Sequence, residues 1–184
     1  MNCEEIPALL AAEPDGGCKR VSDAYPNCHC ESVTVCPDLS PGPVGDEETV
    51  ARFVAPGHFD TATRKVKPSL FSHAGKSGMS VTRIEKAGDK ELYKQQTRGN
   101  YLGYVDSKCA DVRSLVFEQQ RTFCIYDTAK SDNQFHADIC QAVHRPLSKT
   151  SAMRRDLQVL FSGTVTVVPE PVNKTWRTIQ IGCG

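Results

Sequence analysis

The sequence predicts a single α+β domain with a mixed or antiparallel sheet, and three observations point there. Strand-like stretches such as "GMSVTRI" and "RTFCIYD" recur along the chain. Two helical patterns fall in the C-terminal half. The length, 184 residues, and the ordinary composition, 39% hydrophobic and 24% charged, suit one core without staples. The expected layout is an irregular, acidic, Cys- and Pro-rich segment over residues 1–45, followed by a globular α+β domain over 46–184.

The elements follow in order. Three prolines and two glycines between residues 37 and 45 forbid a regular element there. Just before them, "ESVTV" reads as a short strand. "DEETVARFV" starts with acids and reaches Arg52, which suits a short helix or a helical turn leading into a strand. In "GMSVTRI", Met79 and Val81 alternate with Ser80 and Thr82, as in a strand. "GDKELYKQQTRGN" holds helix formers between two glycines, and "YLGYVD" reads as a strand. "CADVRSLVF" fits either state. "RTFCIYD" is β-branched and aromatic, bounded by charge. "SDNQFHADICQAVHRP" predicts a helix with Phe135, Ile139, Ala142 and Val143 on one stripe and Pro146 as its stop. "SKTSAMRRDLQVLFSG" predicts a second helix, capped by Ser148 or Ser151 and stopped by Gly163. "TVTVVPEP" and "WRTIQIG" read as closing strands.

Formal net charge is zero but unevenly spread. Residues 1–51 carry ten acids and two bases, whereas residues 52–98 carry ten bases and four acids. Either the acidic arm lies on the basic middle, or the basic middle has an anionic ligand of its own. No run of apolar residues is long enough for a membrane helix, and the N-terminal stretch lacks a basic leader, so the expected setting is cytoplasmic. There the nine cysteines would stay reduced, with Cys124 and Cys140 as small core residues.

Candidate chemistry clusters in four places. Cys18, Cys28, Cys30 and Cys36 lie within nineteen residues, with soft sulfur ligands that a structural zinc ion would take; reduced thiols in an irregular segment are the plain alternative. His136, Cys140 and His144 would share a helix face, as metal ligands or as a half-buried histidine and a core thiol. Cys109 stands between Lys108 and Arg113, cations that favour a thiolate. The stretch "PGHFDTATRKVKPSLFSHAGKSGMSVTR" is richest. There and just before it, Arg52, Lys67 and Arg83 match phosphate oxygens, and Ser80 and Thr82 supply neutral donors. Gly75 and Gly78 let backbone amides approach an anion, and His58 or His73 is the candidate acid–base group.

Arg52 at a strand start, Ser80 and Thr82 on a Ser-x-Thr strand, and the later Glu118 follow an order similar to the Arg, Ser-Thr-Ser and Glu positions of the ADP-ribosyltransferase family. The resemblance implies an arginine on NAD phosphates, a pocket-shaping strand and a glutamate steadying a ribosyl cation. It covers three points. Arg83 stands where a second serine would, and the acid paired with Glu118 is missing.

Together these features predict a basic polar cleft for a phosphate-bearing ligand, a nucleotide or a nucleic acid strand, in a binding protein or an enzyme acting on such a ligand. Phe59, Phe71 and Tyr93 among the cations fit base stacking, although a pI near 6.9 suits local rather than general nucleic-acid binding. The alternative is a non-catalytic accessory subunit that docks on partner proteins through its acidic arm and basic face.

Overall fold

In the computed structural model, residues 2–12, 15–142, 147–161 and 163–171 are described. After a 3₁₀ turn at Cys3–Glu5 come α1 (Ile6–Ala12) and α2 (Gly17–Ala24), then a second 3₁₀ stretch at Pro26–Ser32. Strand β1 (Thr49–Phe53) opens the sheet. A two-stranded hairpin, β2 (Phe59–Asp60) and β3 (Lys65–Val66), follows, and a 3₁₀ stretch at Pro68–Gly75 leads into β4 (Met79–Arg83). Helix α3 (Ile84–Arg98), β5 (Tyr104–Lys108) and α4 (Cys109–Ser114) come next. A second hairpin, β6 (Val116–Phe117) and β7 (Gln120–Arg121), precedes β8 (Phe123–Asp127), β9 (His136–Gln141) and α5 (Leu147–Leu160). The molecule is a single α+β domain around a five-stranded antiparallel sheet of order β5-β1-β4-β9-β8.

The strands alternate, so their two faces carry different chemistry. Met79, Val81, Ala137, Ile139 and Ile125 point into the main apolar core, where Met153, Leu157 and Phe161 of α5 cover them. Phe161 meets Phe71 of the 3₁₀ stretch with ring centroids 5.8 Å apart. The opposite face carries Ser80, Thr82, His136 and Asp138, and then Cys140, Cys124 and Tyr126. Ile6, Leu10, Cys18 and Val21 of α1 and α2 bury its cysteine end. Two disulfides fix that cover: Cys3–Cys30 within the N-terminal segment, and Cys28–Cys124 from the segment to β8.

Several expectations are corrected. Residues 136–141 form β9 instead of a helix. Ile139 and Ala137 face the core while His136 and Asp138 face a polar cleft, so the alternation is core against cleft and mimics a helical stripe. "DEETVARFV" yields β1, because pairing with β4 and β5 on both sides outweighs the helical start. "ESVTV" is not a strand: Glu31 turns inward, accepting from Arg113 Nε (3.0 Å), Arg121 Nη2 (2.6 Å) and the Ile125 N–H (2.6 Å). "CADVRSLVF" resolves into α4 and then β6. "TVTVVPEP" contributes only a bridge from Thr166 to Tyr104. The helix between glycines holds: α3 breaks at Gly88 (φ +66°), which leaves a regular run up to Arg98. The predicted α5 also stands. His144, Pro146 and the strand expected at "WRTIQIG" lie outside the described residues, as do the side chains of Ser148 and Ser151.

Arg83 does not join a ligand site. It is 1% exposed, and its Nε and Nη2 donate to the two oxygens of Glu48 at 2.7 Å each. Nη1 and Nη2 also reach the carbonyls of Gly42 (2.6 Å) and Pro43 (3.1 Å), and Asp127 lies 3.8 Å away. Burial alone would raise the Glu48 carboxyl, but the Arg83 hydrogen bond and the Gly45 N–H overcome it and hold the carboxyl below its ordinary range. The acidic arm thus neutralises this one cation of the basic region inside the fold.

Two outcomes follow. Arg83→Met leaves Glu48 buried without its partner and costs about 3–5 kcal/mol in urea unfolding, most of it recovered by Arg83→Met with Glu48→Leu. Reducing Cys28–Cys124, which spans 96 residues of chain, costs about 2–4 kcal/mol; an unfolding midpoint unmoved by reductant would contradict the bond.

Candidate functional site

The cleft begins where the sheet splits. β1 pairs with β4 only at Val50↔Arg83 and Ala51↔Thr82. Beyond that point β1 follows β5, through Arg52↔Val105 and Phe53↔Tyr104, while the start of β4 follows β9. The Arg52 guanidinium fills the fork. Its Nη1 donates to the Ser80 carbonyl at 2.9 Å and its Nη2 to the Leu70 carbonyl at 3.4 Å. It replaces the strand hydrogen bond that the split removes from Ser80.

Two cavities open at this fork, of about 360 and 190 Å³, and both are lined by Arg52, Ser80 and Lys130. The larger also takes His73, Ser77, Gly78, Thr128 and Asp138, with Leu10 and Ala11 of α1 as its apolar wall. The smaller takes Phe53, Thr82, Gln95, Tyr101, Asn133 and His136. Gly78 is required here, with φ at +95° and a Cβ position 3.0 Å from Asp138.

A hydrogen-bonded chain lines the floor. Lys130 Nζ lies 3.0 Å from His136 Nε2, and His136 Nδ1 lies 2.9 Å from the Thr128 carbonyl. A carbonyl only accepts and an ammonium only donates, so this arrangement assigns Nδ1–H and a neutral ring. Burial, the largest influence, holds His136 below its ordinary 6.5 in agreement. Thr128 Oγ1 donates to Asp138 Oδ2 at 2.8 Å, and Ser80 Oγ reaches Asp138 Oδ1 at 3.3 Å. Asn133 Nδ2 donates to Thr82 Oγ1 at 2.9 Å.

The balance of charge is the notable feature. Arg52 is largely buried, forms no ion pair among the described residues, and its Nε has no hydrogen-bond partner there. Burial, the largest influence, pulls its pKa down, against the Asp138 carboxylate, which supports the charge. Asp138 supports the charge without forming an ion pair with Arg52, so a buried guanidinium still gains from an anion that meets it directly. Lys130 at the rim likewise has no acid partner among the described residues. His73, bonded to Ser77 Oγ at 3.1 Å, is lowered by burial first and then by Arg52, Lys76 and His58, so it is neutral near pH 7.

The structure therefore unites Arg52, His73, Ser80 and Thr82 in one cleft. It leaves His58 and Lys67 outside: His58 Nδ1 meets Ser69 Oγ at 3.0 Å, and Lys67 Nζ donates to the Gly57 carbonyl at 3.1 Å, beside the β2–β3 hairpin. The four thiols expected at a zinc ion are dispersed. Cys28 and Cys30 are bonded to Cys124 and Cys3, Cys18 faces Cys140 at 2.8 Å, and Cys36 stands apart, half-buried. Among the described residues no group of three or more His, Cys, Asp or Glu is placed to hold a metal. Cys109 is no thiolate: burial, only partly opposed by Arg113, pushes it up to about 12. Glu118 sits on the β6–β7 turn and lines neither cavity, so the third point of the ADP-ribosyltransferase pattern does not reach the other two. Thr128, Lys130 and Asp138 were missed, and His136 was grouped with Cys140 and His144 instead, because "HADIC" reads as helix and hides the face that His136 and Asp138 share; the alternation of polar and apolar residues over 136–140 was the usable signal.

No protein family, curated protein or solved structure matches the chain.

His136 is buried, and it titrates near 6.5 when unfolded and lower when folded. Its stabilisation is present in full above 6.5 and is lost as pH falls below it through the folded value. Urea unfolding between roughly pH 7.5 and 5 should show this loss, and His136→Gln should flatten part of the slope. An identical slope in the variant would contradict the neutral buried ring.

Proposed function

We propose that this cleft binds a small phosphate-bearing ligand. The observation that carries the reading is Arg52: a largely buried cation at the fork of β1 and β4 that forms no ion pair among the described residues and whose Nε has no hydrogen-bond partner there. A phosphate supplies the missing negative charge and accepts from the guanidinium, an arrangement in which charge-assisted hydrogen bonds are strongest. Lys130 adds a second cation at the rim, while the Ser80 and Thr128 hydroxyls spend their protons on Asp138 and hold that carboxylate in place. His73 is neutral near pH 7 and is the cleft's candidate acid–base group, in keeping with an enzyme acting on such a ligand.

Two observations favour ligand binding over docking as an accessory subunit. The acidic arm is engaged within the molecule, through Glu48 on Arg83, Asp46 and Glu31 on Arg113, and Asp15 on Lys76. The polar groups converge in a cavity of ligand-sized volume, about 360 Å³. Among the described residues no helix is long and apolar enough to cross a membrane. A cytoplasmic setting suits a phosphorylated ligand, while the two disulfides favour oxidising surroundings.

Thermal unfolding with orthophosphate, pyrophosphate and a short DNA oligonucleotide, at low and high salt, tests the reading. Pyrophosphate at about 100 times its Kd should stabilise the wild type by about 2.7 kcal/mol. Arg52→Gln should abolish that gain while leaving the unliganded protein within about 1 kcal/mol, because it removes an unpaired charge but keeps a donor for Ser80. Equal gains in both proteins would reject Arg52 as the anion contact. Stabilisation by the oligonucleotide alone would move the reading to nucleic acid.

A further inference from the structure

We infer that the smaller cavity is a subsite for a planar heterocyclic ring, which makes the ligand a nucleoside phosphate. This rests on the phosphate reading of the adjoining cavity and extends it. The two cavities share Arg52, Ser80 and Lys130, so both spaces border the proposed phosphate contact. That space differs in chemistry from the first. Phe53 and Tyr101 both line it, stacked with ring centroids 5.4 Å apart and planes at 24°. Tyr104 braces Phe53 edge-on at 6.0 Å and 74°. Tyr101 is 36% exposed, an aromatic side chain left at the mouth of a polar cleft rather than drawn into the core. The core offers no explanation for that placement, whereas a stacking partner does.

The remaining wall can read the edge of a ring. Gln95 lines the cavity, and both its amide hydrogens are engaged, with Glu91 Oε1 at 2.7 Å and the Asp132 carbonyl at 3.0 Å. Those bonds fix the amide, and its Oε1 is the atom left to accept from an exocyclic amine. Asn133 is committed on both sides, donating to Thr82 and accepting from the Phe135 N–H at 3.1 Å, so it shapes the space and does not read it.

Calorimetric titration of the full chain with pyrophosphate, ribose 5-phosphate and the diphosphates of adenosine, guanosine, cytidine and uridine tests this. At least one nucleoside diphosphate should bind about tenfold or more tightly than pyrophosphate, the size of one stacking contact. Tyr101→Ala, which removes the ring stacked on Phe53, should erase that preference and leave the pyrophosphate affinity unchanged. Tyr101→Trp should keep the preference. Wild type that binds pyrophosphate and all four nucleotides equally overturns the ring subsite while the phosphate reading stands. A preference that survives in Tyr101→Ala also overturns it. Binding of neither pyrophosphate nor any nucleotide overturns both.

Discussion

The register between β4 and β9 is the constraint on which the rest depends. Ser80 opposes Asp138 and Thr82 opposes His136, while Met79 opposes Ile139 and Val81 opposes Ala137. A slip of β9 by one residue would exchange its two sets, placing a carboxyl and an imidazole in the apolar core and Ala137 and Ile139 in the cleft. The packing of α5 and the 3₁₀ stretch at Pro68–Gly75 against the apolar set therefore fixes the polar set opposite. Core stability and cleft chemistry are two sides of one pairing.

The second constraint is the fork. An antiparallel pair that continued past Ala51↔Thr82 would close the sheet and leave no cleft. The chain instead opens the sheet and inserts Arg52, whose guanidinium satisfies the Ser80 carbonyl and faces the space created. This resolves the basic region into cations with different duties. Arg83 is consumed by Glu48 in the interior, Lys76 is held at the surface by Asp15, and Arg52 alone of the three forms no ion pair among the described residues, with Asp138 supporting its charge. The arm neutralises part of the basic cluster and leaves the part at the cleft without an ion pair.

The N-terminal segment links cover and site. α1 and α2 bury the cysteine end of the polar face, and Leu10 and Ala11 of α1 form a wall of the larger cavity. The Cys28–Cys124 bond ties this cover to β8, whose chain runs on into Thr128 and Lys130 of the cleft floor. A segment that reads as an irregular arm is in this way a structural part of the site.

The sequence alone determined the α+β class, the strands at Met79–Arg83 and Phe123–Asp127, the helix Leu147–Leu160, and the grouping of Arg52 with Ser80 and Thr82, which line one cavity, because local alternation and charge type are written in short windows. Only the tertiary structure decided that 136–141 is a strand, since Phe135, Ile139 and Ala142 fit a helical period as well as Ala137 and Ile139 fit a strand, and pairing to β4 and β8 chose between them. It likewise separated Arg83 from Arg52. Both are arginines on neighbouring strands, and what distinguishes them is a carboxylate thirty-five residues away in the chain that folds onto one and not the other. Long-range partners set the cost of burying a charge, and no local window contains them.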